Sequence, residues 1–173
     1  MANAQNQLHI NELSKYFKKW KINLNSTKTE NILFTRKTTN NKVFSPLKID
    51  NQKINIKNEV KYLGIKLDKR LTFKPHIKNT LQKVYGAMRN LFPVLSRDSF
   101  LTLKNKKLLY TTVIRPTLTY SAPAWCHVSK ITLKPIQIYQ NKCLRIITNR
   151  NRHTKIDKLH EITQIEKITD HII

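Results

Sequence analysis

Glycine is almost missing from this 173-residue chain, which holds only 2, Gly64 and Gly86. That scarcity excludes a glycine-rich phosphate loop, and with only 6 prolines it argues against a loop-dominated or low-complexity chain. The two cysteines, Cys126 and Cys143, make no disulfide framework. No apolar run approaches the ~20 residues that cross a bilayer, and no secretory segment follows Met1. The chain therefore reads as intracellular, nuclear or cytoplasmic, neither secreted nor embedded in a membrane. Its Lys-rich N-terminus is too poor in arginine for a typical mitochondrial presequence. Acidic residues are scarce too. The 10 Asp and Glu are scattered singly, with no D-D or D-x-D pair. Two-metal phosphoryl transfer needs at least two carboxylates converging on the ions. Here Asp50 suits a turn, Asp68 a strand end and Asp157 a helix cap. Cys126, His127, Cys143, His153 and His160 have no zinc-knuckle spacing, so no metal ligands are assigned. Nothing resembles a serine-hydrolase elbow.

What is abundant is positive charge. Against those 10 acids stand 33 Lys and Arg, a formal net charge of +23. Such an excess repels itself unless a polyanion neutralises it. Nucleic acid fits best, because each phosphate that meets a cation releases a counterion. An acidic membrane surface fits less well, since the cations run along the whole chain rather than in one juxtamembrane cluster. The Lys, Asn and Ile bias also matches an AT-rich coding sequence. Hydrophobic residues at 39% still suffice for a core, in one domain or two small subdomains. Ten aromatics lie among the lysines, and most of them are expected to face the core rather than stack on bases.

The pattern predicts an α+β first part. Leu8, Leu13, Phe17 and Trp20 recur at helical spacing, which predicts an amphipathic helix over 3–21 with a basic outer face. Asn25-Ser26-Thr27 breaks it. A strand is expected at 31–36 (NILFTR), then a polar loop over 37–46. A hairpin is expected around Asp50-Asn51-Gln52, and one strand over 60–67 that changes face near Gly64. After Pro75 the spacing predicts helices over 76–92, 99–114, 131–148 and 155–170, punctuated by Pro93, Pro116 and Pro123. The expected division is residues 1–74 and an all-α 75–173.

Four blocks carry more than pattern: YFKKWKINLNSTKTENILF (16–34), VKYLGIKLDKRLTFKPHI (60–77), RPTLTYSAPAWC (115–126) and IQIYQNKCLRIIT (136–148). In this order they resemble the C-terminal part of the reverse transcriptase of jockey-type non-LTR retrotransposons, and NRHTKIDKLHEITQI (151–165) is similar to the segment after its thumb. The resemblance implies that 1–74 is the end of the polymerase palm, with its first helix beneath the palm sheet, and that 75–173 is the thumb with its extension. It makes Lys28 a vestigial general-acid candidate for a departing pyrophosphate, because an ammonium can protonate or stabilise that oxygen. It puts Tyr62, Leu63 and Gly64 in a primer-grip turn, where glycine lets backbone approach the primer. Lys66, Lys78 and Lys83 become further nucleic-acid candidates, with RNA, DNA or their hybrid as partner. Phe73 stands where a tryptophan is usual, and Ser121 where a glycine is usual. The family's metal-binding aspartates are expected before Tyr16, with the fingers and most of the palm. Mg²⁺ is therefore expected only for the intact enzyme, and this chain alone is expected to bind without polymerising. The expected origin is a 5′-truncated or degenerate copy; a domesticated, standalone basic binding module is the alternative.

Overall fold

The computed structural model describes residues 2–36 and 45–172; the expected loop over 37–46 lies mostly outside them. The chain divides into two compact units, Met1–Thr72 and Phe73–Ile173, and the class is α+β.

The first unit opens with helix α1 (Ala2–Lys19), whose last turn carries Lys18 and Lys19 at the negative end of the helix dipole. Its orientation corrects the sequence expectation. The stripe meant for the core, Leu8, Leu13 and Trp20, is exposed. The face turned to the rest of the unit is mostly polar. Gln7 donates through Nε2 to the Lys48 carbonyl (2.9 Å) and accepts at Oε1 from the Lys48 N–H (2.8 Å). Its side-chain amide thus imitates a neighbouring strand and satisfies one residue of an open sheet edge. About two and three turns further on, Ser14 (3.2 Å) and Lys18 (2.6 Å) both donate to the Asp50 carboxylate. The Lys18 hydrogen bond holds the Asp50 carboxyl below its usual range.

Strand β2 (Lys48–Ile49) pairs antiparallel with β3 (Gln52–Lys53) across Asp50-Asn51, both at positive φ (47° and 65°). That is the two-residue turn whose twist suits a hairpin, and Asp and Asn tolerate it. The turn is one residue shorter than expected, so Ile54 N–H meets the Leu47 carbonyl (2.7 Å). Leu47, Ile49 and Ile54 then form a small buried cluster, against which Ile10 and Leu24 pack.

The strand expected over 31–36 shrinks to β1 (Asn31–Ile32), and it pairs parallel with β4 (Ile56–Lys57). The expected single strand over 60–67 is instead a hairpin, β5 (Glu59–Tyr62) and β6 (Ile65–Asp68), turning at Leu63-Gly64 with φ of 45° and 83°. Leu-Gly is a weaker turn signal than Asn-Gly, which is why alternation alone runs through it.

The second unit is helical among its described residues. Helix α2 (Lys74–Leu95) runs through Pro93, which was expected to end it. A buried Lys106 donates to the Ser96 carbonyl (2.6 Å) just past the end of α2, and so satisfies it with a cation. Helices α3 (Leu103–Leu109) and α4 (Arg115–Leu118) flank a π-helical turn at Tyr110–Ile114. Pro116, the second residue of α4, has no N–H to give to the ladder. After α5 (Ala122–Trp125) comes α6 (Lys130–Ile147). The helix expected over 155–170 is two, α7 (Ile156–Thr163) and α8 (Ile168–Ile172), broken where Gln164 takes a left-handed conformation. Gln140 holds the break. It is fully buried, donates to the Glu166 carbonyl (2.9 Å) and accepts from the Ile168 N–H (2.7 Å). Tyr110, Ile114, Leu118, Trp125, Ile136, Leu144, Leu159 and Ile168 fill the core around it.

Ser121 precedes α5 at φ 54°, ψ 31°, a left-handed conformation that glycine adopts without steric cost. This gives a physical reason for a glycine there. Ser121→Gly is expected to stabilise the second unit by up to about 1 kcal/mol, read as a higher urea midpoint at unchanged slope. A lower midpoint would show that the serine is not strained.

Candidate nucleic-acid interface

Lys28 sits in a turn organised by Asn25. The Asn25 side-chain oxygen accepts from the Lys28 N–H (3.0 Å) and the Thr27 hydroxyl (2.6 Å), while its carbonyl accepts from the Thr29 N–H (3.1 Å). The turn leaves the Lys28 side chain exposed. The neighbouring Glu30 is bound elsewhere, in an ion pair with Lys57.

The β5–β6 hairpin has an unusual tip. Tyr62 is 65% exposed and Leu63 75%. Behind them Lys61 and Lys66 lie directly opposite one another, and at the base Glu59 faces Asp68. Like charges in cross-strand register are unfavourable. A phosphate beside Lys61 and Lys66 would relieve one of those pairs. Gly64, at φ 83°, has the conformation that lets the backbone turn here.

Lys78 and Lys83 belong to the second unit, on α2, both exposed. The five-residue spacing puts them on different faces. Lys83 lies on the side of the buried His76. Burial first, and the Lys83 charge second, hold that imidazole below its usual pKa, and a hydrogen bond to the Tyr120 backbone offsets only part of this. Lys78 instead lines a groove between α2 and α6, together with Leu81, Tyr85 and Ile131. The groove continues past Tyr85 to Arg89, Phe92 and Lys142. So the six binding candidates divide: four on the hairpin, one in the groove and one beside His76.

The groove residues Tyr85, Arg89, Phe92 and Lys142 escape a reading by periodicity. Val84 and Tyr85 are adjacent, and either fits the helical repeat as the core residue. Val84 is the buried one, and Tyr85 is half-exposed. Among the ten aromatics expected to be mainly core, Tyr16, Trp20, Tyr62, Tyr85 and Tyr120 are exposed, so the expectation holds for only about half. A legible signal does exist. Neither α2 (22 residues) nor α6 (18 residues) contains an acid, and each carries four Lys or Arg.

Among the described residues no three of His, Cys, Asp and Glu come together. Asp50 is engaged by Lys18, Asp157 by Lys167 and Glu166 by His171. Cys143 is buried, and that burial pushes its thiol up to about 12. No helix among the described residues is long and apolar enough to cross a membrane.

The chain is similar to several proteins of transposons. It is 32% identical over 166 residues, 96% of its length, to the Drosophila melanogaster protein described as "Probable RNA-directed DNA polymerase from transposon BS". It is 30% identical over 92% of its length to the corresponding protein of transposon X-element from the same species. To the RNA-directed DNA polymerase of mobile element jockey from Drosophila funebris it is 25% identical over 96%. The chain spans 17–18% of the length of these relatives. No family model and no solved structure matches it.

His76 gives the second unit a pH dependence with a definite sign. Its pKa is lowered in the fold, so below the unfolded value of about 6.5 the unfolded chain binds more protons. Stability is therefore complete above about pH 6.5 and falls as pH drops below it. The thermal midpoint is expected to be lower at pH 5.5 than at pH 7.5, with a smaller difference in His76→Leu. An equal drop in both proteins would assign the effect to other groups.

Proposed function

This chain is related along 92–96% of its length to the RNA-directed DNA polymerases of jockey-type non-LTR transposons, and from that premise we propose that it is the part of such an enzyme that holds template and primer rather than the part that performs the chemistry. In this reading the first unit is the end of the palm and the second is the thumb. The observation that carries it is the charge of the second unit. Its two long helices, α2 and α6, are purely cationic, as a phosphate-tracking surface requires. The β5–β6 hairpin, with Lys61 and Lys66 behind an exposed Tyr62-Leu63-Gly64 tip, has the shape and charge of a primer grip. Lys28, displayed on its Asn25 turn, contributes a phosphate contact. Its general-acid role belongs to an assembly that includes metal-binding aspartates.

The outward apolar stripe of α1 supports the same reading. Leu8, Leu13 and Tyr16 on α1, and Trp20 just past its end, are all more than half exposed. A stripe of this kind marks a contact surface. The remaining palm and fingers of a polymerase are the partner we assign to it.

Two measurements test the proposal. Fluorescence anisotropy with an RNA–DNA hybrid duplex is expected to show affinity falling steeply from 50 to 200 mM salt, with a log–log slope of about −3 or steeper. A flat response, or no binding, would contradict it. Primer extension with Mg²⁺ or Mn²⁺ is expected to yield no product from these 173 residues alone. Extension by the purified chain would show that the chemistry is here after all.

A further inference from the structure

The groove between α2 and α6 has features that backbone tracking of a duplex does not need. It consists of two adjoining hollows, of about 370 and 450 Å³, that share Tyr85 as their common wall. Tyr85 is half-exposed but held in place. Its ring meets the buried Tyr139 edge to face, centroids 4.6 Å apart at 80°. Tyr139 is itself fixed, because its hydroxyl donates to the Val84 carbonyl across the helix pair (3.2 Å). The Lys142 ammonium lies 5.5 Å from the Tyr85 centroid. Phe92, also half-exposed, stands seven residues along the same face of α2. That is about 10 Å along the axis, the length of about three base steps. Lys78 lies at one end of the groove, with Arg89 and Lys142 at the other.

We propose that this groove binds a single-stranded stretch of nucleic acid, its bases stacked against Tyr85 and Phe92 and its phosphates against Lys78, Arg89 and Lys142. The charge decides the class of occupant. Two helices with cations and no acid attract a polyanion. The aromatics decide its form. A duplex buries the faces of its bases, so it could use the lysines but not the rings; a single strand can use both. An acidic peptide would match the cations but has no flat faces for a pre-positioned tyrosine. Because Tyr85 is already held by Tyr139, stacking on it costs little ordering.

The inference rests on the nucleic-acid reading of the chain, and the two can fail separately. Tyr85→Leu with Phe92→Leu keeps the apolar volume and removes the flat faces. Binding of an oligo(U) strand and of a hybrid duplex is compared by anisotropy at one salt concentration. The double substitution is expected to weaken strand binding about fivefold or more, and duplex binding less than twofold. Equal losses on the two ligands, or unchanged strand affinity, would overturn the groove assignment. Tighter binding of an oligoglutamate than of a strand of equal charge would overturn it in favour of an acidic peptide. Should the aromatic substitutions unfold the unit, Arg89→Gln with Lys142→Gln provides the second readout. It is expected to make the strand's log–log salt slope shallower by about 1 to 2, and an unchanged slope would overturn the proposal. Absence of salt-sensitive binding by the unsubstituted chain would remove the broader reading with it.

Discussion

Each positive charge added to a compact chain raises the electrostatic cost of the next, and this protein carries 33 Lys and Arg against 10 acids. Much of the structure can be understood as the placement of those few acids. In the first unit, Asp50 joins α1 to the β2–β3 turn through Lys18 and Ser14, and Glu30 joins the strand β1 to β4 through Lys57. In the second, Asp157 pairs with Lys167 and Glu166 with His171, all at the C-terminal end. These are exposed pairs of modest individual worth, and their position matters more than their energy. These four acids lie at joints between elements, and α2 and α6 carry no acid. Each of those helices carries four Lys or Arg with no acid beside them, and a polyanion along them would relieve that repulsion.

Neutral hydrogen bonds carry the joints that charge does not. Gln7 acts as a substitute strand for β2, Gln140 spans the break between α7 and α8, and the Tyr139 hydroxyl links α6 to α2. A side-chain amide has both a donor and an acceptor, so each glutamine satisfies two backbone groups at once. In a chain with so few acids and glycines, amides take over positions where a tighter turn or an ion pair could otherwise have served.

How much of this is legible in the sequence depends on the element. The helical spacing after Pro75 marks α2 and α6 closely, because Ile77, Val84 and Met88, or Cys143, Leu144 and Ile147, do line a core, although Ile138, expected on the same face of α6, is exposed. Asp50-Asn51 announces its hairpin, since both residues tolerate positive φ. The errors have physical causes. Leu63-Gly64 makes a turn of the same type with a poor first residue. The stripe of α1 is correctly amphipathic, but the apolar face is outward and the hairpin is met by Gln7, Ser14 and Lys18. Hydrophobic periodicity identifies a face that wants a partner; it does not say whether that partner lies within the unit. Tyr85 is lost for a related reason, because adjacent Val84 satisfies the same repeat. Lys28, Tyr62, Leu63 and Gly64 were reached through family resemblance rather than spacing.

The central claim is that nucleic acid lies along α2 and α6, and photocrosslinking tests it most directly. The chain would be irradiated with a 4-thiouridine-containing oligonucleotide at moderate salt, digested, and the adducts assigned by mass spectrometry. The account predicts adducts concentrated on peptides from Lys74–Leu95 and Lys130–Ile147, with Tyr85 and Phe92 among the modified residues. Adducts spread evenly over the cationic surface, or confined to the first unit, would contradict it.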